Sequence, residues 1–223
     1  MARRQIRELT QTQKAAVQKA ALIRIVDDDE ALKASFVLLL QTMGWAVASY
    51  PDGRSFLDED TLAGPGCVVL DVRMPGMTGL EVQEEMIRRG SALPVIFLSA
   101  HGSISMAVHT LQQGAVDFLE KPVKPMDLVQ KISAAVARSL EICADESRRA
   151  ALIKRFESLT PRETVIVAEV LKGNDANKSI AKLLGLEVST VKMHRANAFV
   201  KLDVHSPAEL TRLAFEAGWH AEA

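Results

Sequence analysis

The chain has 223 residues, a net charge of −1, 48% apolar residues and 25% charged residues. That length suits two small domains better than one large core, and the apolar share is ordinary for a globular protein. No apolar run reaches a membrane span and no signal core follows the basic start, so no membrane partner is expected. Two cysteines, Cys67 in an apolar run and Cys143 in a late helix, argue against a disulfide and for a reducing, cytoplasmic setting.

The charge is unevenly spread. Residues 21–140 hold 10 basic and 15 acidic residues, residues 1–20 hold 5 against 1, and residues 151–223 hold 10 against 9. A near-neutral total therefore does not exclude a locally basic surface for nucleic acid. Residues 1–20 are polar, Gln-rich and free of Gly and Pro, which suits an N-terminal arm, with a disordered leader as the bland alternative. No internal repeat or low-complexity segment is present.

From residue 22 the pattern alternates strand and helix. Residues 22–26 predict a first strand that runs into Asp27, Asp28 and Asp29. Residues 31–43 predict a helix with Leu32, Phe36, Val37, Leu39 and Leu40 at its apolar positions, stopped by Gly44. A strand over 45–50 and a short helix over 54–59 follow. Cys67, Val68, Val69 and Leu70 form an unbroken apolar run ending in Asp71, as a strand buried on both faces of a parallel sheet would. Helices are expected over 79–89 and 103–113, strands over 94–98 and 115–119, and a fifth helix from 125 to about 143. Five β-α units predict an α/β doubly wound parallel sheet with strand order 2-1-3-4-5.

In such a sheet the chemistry lies where strands end on their carboxyl side. Asp71 ends the central strand. On its own it reads as a turn residue before Pro75 and Gly76. The neighbouring strand ends change that reading, because they carry Asp27 and Asp28, Ser99, and Lys121 followed by Pro122. Three adjacent aspartates repel one another and have no packing reason, so a cation is the natural relief. Carboxylates can hold Mg²⁺, a hydroxyl can hydrogen-bond a phosphoryl oxygen, and a lysine can neutralise it. One carboxylate is then the nucleophile, and Asp71 is the central one.

This set over residues 21–140 resembles the receiver domain of two-component response regulators. The resemblance implies that Asp71 accepts a phosphoryl group from a sensor histidine kinase. It implies Mg²⁺ held by Asp28, Asp71 and the backbone carbonyl of Arg73, with Asp27 helping through water. Ser99 and Lys121 would contact the phosphoryl oxygens, the Lys121–Pro122 bond would be cis, and Phe118 would be a switch aromatic coupled to Ser99. Arg73 departs from the amide or small residue many receivers carry two positions after the aspartate. His101 and His109 have no second histidine at metal-ligand spacing and carry no site.

Residues 141–156 mix charges with Leu152, Ile153 and Phe156, which predicts a helical linker, continuous or not with the helix before it. Residues 157–223 read as a second, all-helical domain. Thr160, Pro161 and Glu163 spell a capping box. Residues 177–184 form a short helix closed by Gly185, Ser189 is expected to cap a helix over 190–202, and Ser206 and Pro207 open another to about 217. Helix, glycine turn and helix is the helix-turn-helix pattern. The helix over 190–202 has Lys192, His194, Arg195, Asn197 and Lys201 and no acid. This segment resembles the LuxR-type DNA-binding domain, and the whole chain is similar to the NarL/FixJ family, nearest its FixJ branch. That resemblance implies base contacts from Lys192, Met193 and Ala196, and phosphate contacts from Thr190, Arg195 and Lys201, with His194 beside them. Its partners would be promoter DNA, RNA polymerase and a second copy of the chain. Phosphorylation would promote a homodimer through Ala107, Val108, Leu111 and Phe118.

Two other functions compete. Asp27 and Asp29 have the spacing of haloacid-dehalogenase-type phosphatases, in which the first aspartate is the nucleophile. Those sites carry threonine two residues further on, where this chain has Ala31. A binding-only regulator would not need the full set of acids, hydroxyl and lysine.

Overall fold

The computed structural model describes residues 20–100 and 117–220. The chain divides into two compact units between Cys143 and Ala144.

In the first unit β1 (Leu22–Val26), β2 (Ala46–Tyr50), β3 (Gly66–Asp71), β4 (Val95–Ser99) and β5 (Asp117–Glu120) form one sheet in the order β2-β1-β3-β4-β5. All four pairings are parallel, which is the doubly wound sheet the alternation predicts. All six residues of β3 are buried. Side chains alternate between the two faces. On one face Ile25, Val69 and Leu98 pack against Phe36 and Leu40 of α1 (Glu30–Thr42) and Leu128 and Ile132 of α4 (Pro125–Glu157). On the other, Val68, Leu70 and Phe97 pack against Phe56 of α2 (Gly53–Glu59) and Val82 and Met86 of α3 (Gly79–Arg88). Two covered faces explain why the strands read as continuous apolar runs.

The register positions the site. Val26 pairs with Leu70, Asp71 with Leu98, and Ser99 with Glu120. The residues at or just past these pairs are Asp27, Asp71, Ser99 and Lys121, so four strand ends meet on one rim. Asp29 has a local role that the sequence reading did not give it. It is the N-cap of α1, and its carboxylate accepts the N–H groups of Ala31 and Leu32. One of the three adjacent aspartates is thus explained by capping.

The linker question resolves into a single element, because α4 runs unbroken from Pro125 to Glu157. In the second unit it is followed by α5 (Pro161–Leu171), α6 (Asn177–Leu184), α7 (Val188–Leu202) and α8 (Pro207–Ala217). Their core is built from Phe156, Ile166, Val170, Ile180, Val191, Ala198, Leu202 and Leu210. The capping box at Thr160 and Glu163 is formed, with Pro161 in the first turn. Gly185 takes the left-handed conformation at φ 63° and turns the chain from α6 into α7. Ser189 does not cap α7. The helix starts at Val188, two residues earlier than expected, after an extended Glu187 that makes no side-chain cap, and Ser189 lies inside the first turn.

Candidate functional site

At the rim of the first unit Asp27 is fully buried, Asp71 is 6% exposed and Ser99 is 1% exposed, while Asp28 is open to solvent. One carboxylate oxygen from each of Asp27, Asp28 and Asp71 lies within 4.8 Å of the others. Lys121, just past β5, places its ammonium 2.8 Å from Asp27 Oδ2 and 3.2 Å from Asp71 Oδ2. The second Asp27 oxygen accepts the Asp29 N–H at 2.9 Å. The Arg73 side chain is exposed. Gly79 lies so close to the Asp71 carbonyl that a β-carbon there would collide with backbone.

Burial raises the Asp71 pKa above the usual carboxylate value; the Lys121 charge pulls it back and the Asp27 charge pushes it up further. For Lys121 burial works against the charged form, but its hydrogen bond and attraction to Asp27 outweigh it, so its pKa is raised. The arrangement is a buried carboxylate beside a fixed cation, on a rim that also carries a buried hydroxyl. Three carboxylates in one small cluster also match the oxygen-rich coordination that a hard dication takes. The Lys121–Pro122 bond is cis. Phe118 is half-buried against the apolar layer on the Val68 face. Ala107, Val108, Leu111, His101 and His109 lie outside the described residues.

Lys33 was missed by the sequence reading. It is 5% exposed, and its ammonium reaches the carbonyls of Asp27 and Tyr50 and the Glu30 carboxylate. The signal was present, since residue 33 shares a helical stripe with the buried Phe36 and Leu40.

In the second unit α7 exposes Lys192, Met193, Ala196 and Asn197, with Met193 at 52%. Thr190 and His194 are half-buried. Two basic residues are engaged inside the domain. Arg195 donates to the Asp175 carbonyl and to Asn177 Oδ1, and its guanidinium lies 5.2 Å from the centre of the Phe199 ring. Lys201 donates to the Ser158 carbonyl at 3.1 Å and pairs with the buried Glu163 at 2.7 Å. Both therefore fix α7 on its scaffold.

Comparison with known proteins agrees with both units. Residues 23–133 match the response regulator receiver domain, and residues 157–214 match the luxR family of bacterial regulatory proteins. A receiver joined to a LuxR-type DNA-binding domain defines a transcription-regulating response regulator. The transcriptional regulatory protein FixJ of Azorhizobium caulinodans is 38% identical over 88% of this chain and 92% of its own. The tetrathionate response regulatory protein TtrR of Salmonella typhimurium is 38% identical over 86% of this chain and 91% of its own. Among solved structures, the response regulator StyR covers 89% of this chain and all of its own at 34% identity, with a TM-score of 0.77. The chain belongs to the NarL/FixJ family of two-component response regulators, and the phosphatase reading of Asp27 and Asp29 falls. Among the described residues no helix is long and apolar enough to cross a membrane.

Proposed function

We propose that Asp71 is the phosphoacceptor of a cytoplasmic response regulator and that its phosphorylation switches on binding of the second unit to promoter DNA. The observation that carries this reading is the Lys121 ammonium poised between Asp27 and Asp71 on a rim that also holds Asp28 and Ser99. An Asp71 oxygen attacks the phosphorus of a phosphohistidine on a sensor histidine kinase. The new O–P bond forms as the P–N bond breaks, and the imidazole leaves with the electron pair. Lys121 and Ser99 then hold oxygens of the phosphoryl group. Asp28 and Asp71, with the Arg73 carbonyl, are the groups that would hold Mg²⁺, with Asp27 helping through water. When bound, that ion neutralises charge between phosphoryl and carboxylate oxygens.

In the second unit Lys192, Met193 and Ala196 are the residues offered to base edges. Met193 and Ala196 suit thymine methyl groups better than hydrogen-bonded readout. Thr190 and His194 lie beside them for phosphate contact. Arg195 and Lys201, which the sequence assigned to phosphates, are given the job of orienting α7. Dimerisation through Ala107, Val108, Leu111 and Phe118 would pair two such helices, with RNA polymerase as the further partner at the promoter.

The test of the phosphoacceptor is mass. Incubated with acetyl phosphate and Mg²⁺, the wild type should gain one phosphoryl group and Asp71→Asn none. Asp28→Asn should keep the nucleophile and lose the Mg²⁺-dependent gain. An Asp71→Asn protein that still gains the mass would end the assignment.

A further inference from the structure

Lys33 lies on the second turn of α1, in the apolar layer with Phe36 and Leu40. Helical side chains lean toward the N-terminus of their helix, and this one reaches back to the ends of β1 and β2. Burying an ammonium among apolar side chains is costly unless each donor is used. Here three donors meet three oxygens: the Asp27 carbonyl at 3.2 Å, the Tyr50 carbonyl at 3.4 Å and Glu30 Oε1 at 2.7 Å.

The Asp27 carbonyl belongs to the planar peptide that leads into Asp28. Holding that oxygen fixes the torsions on both sides of the plane, and so fixes where the Asp27 and Asp28 side chains leave the backbone. Asp27 is also held on its other sides. Its N–H donates to the Tyr50 carbonyl at 3.4 Å, and its carboxylate accepts from Asp29 and Lys121. Lys33 is thus behind the acidic turn and Lys121 in front of it. A leucine or methionine at 33 would fill the layer equally well but would leave the Asp27 carbonyl without this donor.

We propose that Lys33 is a positioning residue of the cation site, tying the Asp27–Asp28 peptide to the end of β2 so that both carboxylates face Asp71. The proposal rests on the reading of Asp28 and Asp71 as magnesium ligands, with Asp27 acting through water. Its test is calorimetric titration of the full chain with Mg²⁺, with urea unfolding of the same proteins alongside. Lys33→Met should weaken Mg²⁺ binding about 10-fold, the usual cost of removing a group that orients a metal ligand. Lys33→Arg keeps a cationic donor and should stay within about two-fold of wild type. Unchanged Mg²⁺ affinity in Lys33→Met, whatever its unfolding midpoint, would overturn the proposal and leave Lys33 a packing residue. Equal weakening in Lys33→Met and Lys33→Arg would overturn it too, because any disturbance of the layer would then suffice. If Lys33→Met does not fold, Lys33→Gln, which keeps an amide donor on a shorter stem, is held to the same comparison with Lys33→Arg. A wild type that takes up no Mg²⁺ would instead remove the magnesium reading itself, and this assignment with it.

Discussion

Glu163 performs two tasks with one oxygen. Its Oε2 accepts the Thr160 N–H at 2.8 Å, closing the capping box of α5, and the Lys201 ammonium at 2.7 Å, anchoring the end of α7. The hydrogen bond from Lys201, then that from the Thr160 backbone, lowers its pKa below the ordinary 4.5. A depressed carboxylate pKa contributes stability that is present above the unfolded value and lost as pH falls through the folded one. The resistance of the second unit to urea should therefore fall as pH drops below about 4.5, and Glu163→Gln should flatten that dependence. An unchanged slope in the variant would show that the ion pair contributes nothing. Lys201→Ala should cost about 1–3 kcal/mol, because it leaves a buried carboxylate short of its cation. These contacts mark the limit of what the sequence displays. Lys201 and Arg195 read as phosphate contacts because cations on an acid-free helix are what a DNA reader needs. The partner of Lys201 lies 38 residues away, and no spacing rule points to it. Asp27, Asp71, Ser99 and Lys121 were legible because each stands at or just past the end of a strand, and parallel register alone brings such ends together.

At the scale of elements, α4 belongs to the second unit's core as well as to the sheet. Leu128 and Ile132 pack beneath the sheet. Beyond Cys143, Leu152, Ile153 and Phe156 join the core of the DNA-binding unit. Phe156 stacks on Trp219 with ring centres 4.6 Å apart. Arg149 donates to the Ala217 carbonyl at 3.0 Å, satisfying a carbonyl at the end of α8. The luxR-family match ends at residue 214 and begins at 157, so it omits Arg149, Phe156 and Trp219. A fragment of residues 144–223 should accordingly be markedly more stable than one of 157–223, read by Trp219 fluorescence in urea. Phe156→Ala in the longer fragment should cost about 3–5 kcal/mol, a large share of a small domain's total. Equal midpoints for the two fragments would mean that the end of α4 is only draped on the domain. The sequence showed this helix as apolar residues persisting through a charged stretch, but not whether it was unbroken, since charge and periodicity leave a helical linker and a continuous helix alike. Caps were read unevenly for a physical reason. Thr160 was recognised because its box has a reciprocal partner at Glu163, whereas α7 opens at Glu187 with no side-chain cap to recognise.

At the scale of the whole molecule, the proposed phosphorylation of Asp71 would have to become occupancy of DNA. Ser99 ends β4 and Lys121 follows β5, so the two groups assigned to phosphoryl oxygens bracket residues 100–120. In the proposed switch, a shift of both toward Asp71 would bias the position of Phe118, which sits half-buried. A single α7 offers few base contacts. Two copies joined through the receivers, as proposed, would convert the second half-site contact into an intramolecular event, at an effective concentration on the order of millimolar. Light scattering should therefore give the 24.3 kDa mass of one chain for unmodified protein and twice that mass after beryllofluoride treatment. Val108→Asp, on the helix that the sequence predicts over 103–113, should stay monomeric under both conditions and lose its gain in operator affinity. The competing account is that the receiver restrains the second unit until phosphorylation frees it. That account predicts a protein that remains monomeric on activation yet binds operator DNA tightly, with Val108→Asp as active as wild type. Mass and affinity measured on the same samples separate the two, because only the dimer couples them.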